Sequence, residues 1–287
     1  MIFQQDGQQI NKMKTLRDAV YGLAIGDALG SPVQFMQRDS FPHVDKMLCT
    51  KFFHKAPGTW TDDTSMTLAL CDSIRKRKKI DAKDIRKRFE KWLYRGKYTQ
   101  DGLAFDVGKT CYKAIIGKKG LDDFYSNGNG SLMRIIPLGF VENITDQQIT
   151  EVSSITHAHN ISCEACKIYV HIAKSLITGK SIQEAIKEKT PKSYSIFTSL
   201  NYLESMSRDE IKSTGYVVDT LEAALWCLLK TNNFKDAVET AVNLGGDADT
   251  IGAVTGGLAG IIYGIENIPN EWIKDLRHKR IIERCLF

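Results

Sequence analysis

Proline is scarce in this chain, six in 287 residues, so little interrupts a helix. Period-two alternation is also missing, which leaves sheet architectures without support. The seven cysteines are odd in number and scattered from Cys49 to Cys285. They suggest no disulfide framework and fit a reducing, cytoplasmic setting. The segment from Met1 to Lys14 is polar, with no apolar core to act as a signal peptide. The most apolar stretch, Ile251 to Ile265, falls short of the roughly 20 residues a membrane span needs. Net charge is only +5, which permits an anionic ligand without demanding nucleic acid. The densest basic run, Arg75 to Lys79, follows an apolar helical pattern and reads as a solvated helix end.

What the chain has is helical periodicity. Met66, Ala69, Leu70, Ser73 and Ile74 share a helix face, and so do Ile85, Phe89, Trp92 and Leu93. Ala165, Ile168, Tyr169, Ile172 and Ala173 repeat the pattern, as do Leu221, Ala224, Leu225 and Leu228. Cys163 and Cys166 form a CxxC on one such stretch. With no second ligand pair they read as buried or half-buried thiols, not a zinc site. Gly252, Gly256, Gly260 and Gly264 recur at every fourth position. On a helix they would form a side-chain-free ridge. Each costs roughly 1 kcal/mol of helix propensity against alanine, so a close helix crossing must offset them. The expectation is an all-α, compact, single-domain orthogonal bundle around this glycine-rich helix. Residues 1–13 would be a flexible arm and 14–287 the domain. Gly117 to Gly130 and Pro191 to Ser195 read as connections.

Two acidic clusters stand at the starts of helical patterns: Thr61-Asp62-Asp63-Thr64 and Asp247-Ala248-Asp249-Thr250. Capping of orphan N–H groups explains one Asp at a helix start. It explains less well two carboxylates joined to threonines, twice. If the clusters meet, four carboxylates share one pocket, and hard divalent cations such as Mg²⁺ or Mn²⁺ are the natural counter-charge. The haloacid-dehalogenase pattern fails, because Thr250 follows the second Asp directly and no strand precedes it. The isoprenoid-synthase DDxxD fails at Met66.

Two further features are open at this level. Asn127-Gly128-Asn129-Gly130-Ser131-Leu132-Met133-Arg134 is either a phosphate-cradling turn that feeds a helix or a plain loop before one. In Thr156-His157-Ala158-His159 the two imidazoles would point different ways on a helix, so they would not chelate one metal. His157 could still reach a ligand near the loops.

Taken in order, these motifs resemble those of the ADP-ribosylglycohydrolases, most closely the dinitrogenase-reductase-activating type. The likeness runs from Val20 to about Trp272. It includes Gly22-Leu23-Ala24-Ile25-Gly26-Asp27-Ala28-Leu29-Gly30, Phe105-Asp106-Val107-Gly108 and Gly215-Tyr216-Val217-Val218-Asp219-Thr220 as well as the clusters above. The resemblance implies an all-α fold with two Mg²⁺ or Mn²⁺ ions in a central cleft. By motif, Thr61, Asp62, Asp63, Asp247, Asp249 and Thr250 would be their ligands. It implies that Asp106 lies near the reacting ribose, with Asp62 and Asp249 beside it in catalysis. Gly108, Asn127, Gly128, Asn129, Gly130, Ser131, Met133, His157 and Tyr216 would line an ADP-ribose pocket.

One position departs from the pattern. Many relatives carry a glutamate where this chain has Gln34, also placed in the substrate pocket, and an amide cannot take a proton at neutral pH. The implied activity is metal-assisted hydrolysis that removes ADP-ribose from a modified arginine on protein. Asp106 would serve as base or stabilise oxocarbenium-like charge. The alternatives are a module that binds ADP-ribose without turnover, a hydrolase for serine, nucleic-acid or small-molecule linkages, and a metal-dependent phosphohydrolase. The implied partner is an ADP-ribosylated protein or ADP-ribose-containing small molecule, with no membrane.

Overall fold

Helices dominate because apolar residues recur at helical spacing, and many runs start on a capping side chain, among them Thr15, Thr61, Asp81, Thr145, Ser181 and Asn233. The computed structural model describes residues 14–191 and 195–287. The expected arm at 1–13 and most of the connection at Pro191 to Ser195 lie outside these. Twelve α-helices follow in the described chain: α1 (Leu16–Gly30), α2 (Asp62–Arg77), α3 (Ala82–Arg95), α4 (Lys109–Gly117), α5 (Asp146–Ser153), α6 (Asn160–Ile177), α7 (Ile182–Lys189), α8 (Val217–Lys230), α9 (Phe234–Val242), α10 (Ala248–Tyr263), α11 (Asn270–Asp275) and α12 (Lys279–Cys285). Only isolated bridges occur among the described residues, Leu121 with His157 and Gly128 with Tyr216. No helix there is long and apolar enough to cross a membrane.

The centre is the α1–α10 pair. Its contact is glycine against glycine: a methyl built on Gly256 would stand 2.2 Å from the Gly22 carbonyl oxygen, and one on Gly26 would stand 1.9 Å from that of Gly252. Backbone touches backbone, and the propensity cost of the ridge is offset by packing at a distance no other residue allows. Gly264 is a correction. It lies beyond the helix at φ +81 and terminates α10; it is not the last tooth of the ridge. The ridge's true partners are the glycines of α1.

This seam positions the site. Gly30, at the end of α1, abuts Ala248 at the start of α10. Asp27 of α1 accepts hydrogen bonds from Thr61 N (2.9 Å), Thr64 N (3.0 Å) and Thr64 Oγ1 (2.6 Å), which docks the start of α2 on α1. The N-termini of α2 and α10, each bearing its acidic cluster, therefore meet. Cys163 and Cys166 are buried in α6, as their spacing implied. The basic run closes α2, with Lys78 as a left-handed C-cap.

Candidate active site

The two helix starts form the floor of a cleft of about 320 Å³. Asp62 is the first residue of α2 and Asp63 the second, and the Thr61 side chain caps the helix by accepting from Asp63 N. Helix N-termini favour negative side chains. Asp62, Asp106, Asp247 and Thr250 line the cleft, while Asp63 and Asp249 are buried beneath it. Across the floor, Asp63 Oδ2 receives hydrogen bonds from Thr61 Oγ1 (3.2 Å) and Thr250 Oγ1 (3.4 Å).

This much buried carboxylate is costly in its charged form. Burial pushes Asp62, Asp63 and Asp249 well above the usual carboxylate range, and mutual repulsion adds to it. Burial also raises Asp27, to about 7, although its Thr61 and Thr64 donors pull the other way. Asp106 rises to about 6. Burial is again the main cause, the neighbouring Gln34 and Asp249 side chains oppose it, and the charge of Asp247 adds to it.

The remaining wall comes from loops. Asn129 donates through Nδ2 to Asp247 Oδ2 (2.6 Å) and Thr220 Oγ1 (2.9 Å), tying the glycine loop to the floor. Gly128, Gly130, Met133, His157, Gly108 and Gln34 complete the lining. His157 is buried and held near pKa 3 by burial and by the charge of Arg134, so its imidazole is neutral. Its Nδ1 pairs with Thr156 Oγ1 at 2.8 Å. Arg134 is buried and donates to the Gly130 carbonyl and, at 2.9 Å, to Thr156 Oγ1, bracing the glycine loop against His157.

Several sequence expectations need correction. The Asn127 amide is used up inside the protein: Nδ2 donates to the Phe124 carbonyl at 3.0 Å and Oδ1 accepts from Ser162. Ser131 is buried and bonds Ser153, outside the cleft lining. Tyr216 is joined to the cleft wall through its backbone, which pairs with Gly128. The glycine loop feeds a single 3-10 turn, Leu132–Arg134, not an α-helix. Any help it gives an anion comes from local N–H groups, without a helix dipole. The structure adds Asp27 and Arg134 to the residues that build the site. Each is a lone charge in an apolar segment, the signal that could have found them.

The floor fits a hard cation. Asp63 Oδ1, Asp106 Oδ2 and both Asp249 oxygens are buried without hydrogen-bond partners, and oxygen donors suit Mg²⁺ or Mn²⁺. Among the described residues, no three His, Cys, Asp or Glu side chains are gathered into a ready-made metal centre. The fit rests on the unpartnered oxygens and their charge.

An all-α domain whose two acidic helix starts meet under a glycine loop defines a class. The family model for ADP-ribosylglycohydrolase matches residues 9–286, and the chain belongs to that family. It is 35% identical over 285 residues to the ADP-ribosylarginine hydrolase Tri1 of Serratia proteamaculans, covering 94% of this chain and 76% of that protein. It is 32% identical to the ADP-ribosyl-[dinitrogen reductase] glycohydrolase of Rhodospirillum rubrum, covering 93% and 92%. A solved ADP-ribosylglycohydrolase-related protein complex contains a similar chain, with TM-score 0.79, 31% identity and 93% and 94% coverage.

Proposed function

We propose that this protein hydrolyses the bond between ADP-ribose and the guanidinium of a modified arginine on protein, with two Mg²⁺ or Mn²⁺ ions. The observation that carries the reading is the convergence of unpartnered buried carboxylate oxygens on one cleft, beside Asp106. The arginine acceptor is supported by the activities named for the Serratia and Rhodospirillum relatives.

Thr61, Asp62, Asp63, Asp247, Asp249 and Thr250 would hold the ions. When bound, the ions supply positive charge that lowers the pKa of water and orients hydroxyls. The chain's own residues do the rest. Asp27 fixes the start of α2, and Asn129 fixes Asp247. Asn129 N is already bonded to Gly215 O at 3.0 Å, which leaves the Gly128 and Gly130 N–H groups to serve the anionic pyrophosphate. Asp106 Oδ2, free of other partners, takes a proton from the attacking water as the water oxygen bonds the anomeric carbon. The carbon–nitrogen bond breaks, and the same carboxyl returns the proton to the departing guanidine nitrogen. The Gln34 amide stands beside Asp106 and lowers its pKa, so its part is to position this carboxylate, and an amide does not act as a base.

The test is incubation with ADP-ribosyl-arginine and Mg²⁺ or Mn²⁺. Free ADP-ribose should appear and should vanish with EDTA. Tight ADP-ribose binding without release would make the protein a binding module, and release of inorganic phosphate would make it a phosphohydrolase.

A further inference from the structure

The carboxylate floor receives the bond to be cut but does not say where the polypeptide carrying the arginine rests. We propose that an aromatic ladder at the cleft mouth, Phe35, Phe52, Phe53 and Phe105, is the acceptor-side docking platform that grips apolar side chains flanking the modified arginine. The proposal rests on the reading of an arginine acceptor in a polypeptide.

Two rungs are chain neighbours of the chemistry. Phe35 follows Gln34, and Phe105 precedes Asp106. Phe35 and Asp106 both hold left-handed backbone, φ +64 and +56, a conformation that non-glycine residues keep only where surrounding structure imposes it. At Phe35 the chain is pinned by Phe35 N to Gly246 O (2.7 Å) and Gly246 N to Met36 O (2.8 Å). Phe35 remains 61% exposed. It lines both the cleft and an adjoining outer groove of about 670 Å³, which share Gly215 and Asp247.

The other two rungs sit on a closed turn. Thr50 N bonds Lys55 O at 3.0 Å and Lys55 N bonds Thr50 Oγ1 at 2.8 Å, which holds Phe52 and Phe53 at the tip. Ring centroids run 6.1 Å from Phe35 to Phe52, 4.9 Å to Phe53 and 5.2 Å on to Phe105. Lys55 Nζ lies 4.7 Å over the Phe105 ring and 3.3 Å from Asp101, anchoring the tip. Phe52 is nonetheless 71% exposed.

A single exposed phenylalanine needs no explanation, but a row of four in contact, led outward from the cleft by Phe35, with Phe53 and Phe105 half-buried behind the exposed pair, does. Their place selects the occupant. A side chain cut at Asp106 enters over this row, so its flanking residues lie on these rings. The successive planes at 83° and 84° leave ridges and slots between edge-on rings. Such relief fits aliphatic side chains better than a flat nucleobase, which would stack on a parallel face.

The experiment compares a ten-residue peptide, ADP-ribosylated on one arginine and flanked by leucines, with free ADP-ribosyl-arginine. The wild type should cleave the peptide with kcat/KM about tenfold higher, the scale of one aromatic anchor. Phe52→Ser should erase that advantage through KM, leave the free substrate unchanged and melt like wild type; Phe52→Trp should retain the advantage. Equal loss on both substrates would put the ring in the nucleotide site and overturn the proposal. So would an advantage that survives Phe52→Ser or is absent from wild type. If wild type cleaves neither substrate, the arginine reading itself fails.

Discussion

Thr250 Oγ1 stands 3.4 Å from Asp63 Oδ2 across 187 positions of chain, and this contact joins the acidic starts of α2 and α10 into one floor. Neither helix could hold the cluster alone, because each contributes only half the oxygens.

The first consequence concerns Asp249, buried with neither oxygen partnered. Asp249→Asn should remove metal-dependent turnover and the thermal shift produced by Mg²⁺ or Mn²⁺. Metal binding to the native state alone stabilises it by mass action. In EDTA the variant should melt no lower than wild type, since a repelling buried carboxyl has gone. A full metal-induced shift in the variant would remove Asp249 from the site.

The same carboxyls predict how stability changes with pH. A group whose folded pKa exceeds its unfolded value stabilises fully below the unfolded value, and that stability is lost as pH rises through the folded one. Asp27 at about 7 and Asp106 at about 6 place the loss between roughly pH 4 and 7. Melting temperature in EDTA should therefore fall from pH 5 to pH 8, and the shift on adding Mg²⁺ should grow over the same window. Asp84 does not blur this. Burial raises it, but bonds from Ser73 and Arg88 bring it down to about 2, so its contribution is constant above pH 5. A metal-induced shift that is flat with pH would contradict the prediction.

For catalysis, Asp106→Asn should lower kcat by roughly 10²–10⁴-fold, the range of general acid–base catalysis, while ADP-ribose affinity changes far less. Gln34→Ala should be mild, because its amide only orients Asp106. Kinetics with ADP-ribosyl-arginine, together with titration calorimetry, separate the two effects. An active Asp106→Asn beside a dead Gln34→Ala would reverse the assignment.

The helix seam gives a stability prediction. Even Gly256→Ala sets a methyl 2.2 Å from the Gly22 carbonyl oxygen, so α1 and α10 must part. The cost should be about 3 kcal/mol, the upper end for overpacking, and Gly256→Leu should cost more. Gly117→Ala, with open space around it, should stay within about 0.5 kcal/mol. Urea unfolding of the two variants makes the comparison, and equal midpoints would show that the ridge is not a close contact.

The helical architecture was legible in the sequence because burial leaves a 3.6-residue period, visible in Ile85, Phe89 and Trp92, all buried in α3. Half of the glycine seam was legible too. Its other half, Gly22 and Gly26, is not legible there, because periodicity marks a face without naming what it meets. Asn127 and Ser131 misled for a similar reason. A polar residue in a glycine loop can serve a ligand or the protein itself, and which it does depends on where Ser162 and Ser153 of other helices end up.

By itself, then, the sequence determined the helices, the oxygen-rich helix starts and the close-packed ridge, since propensity, capping and spacing are local properties. The tertiary structure alone decided that Asp27 clamps α2, that Asp62 and Asp247 face the cleft while Asp63 and Asp249 lie beneath it, and that Phe35 of the cleft wall meets Phe52, Phe53 and Phe105 from two other segments in one row. Those facts depend on contacts between residues far apart in the chain, and no local pattern records them.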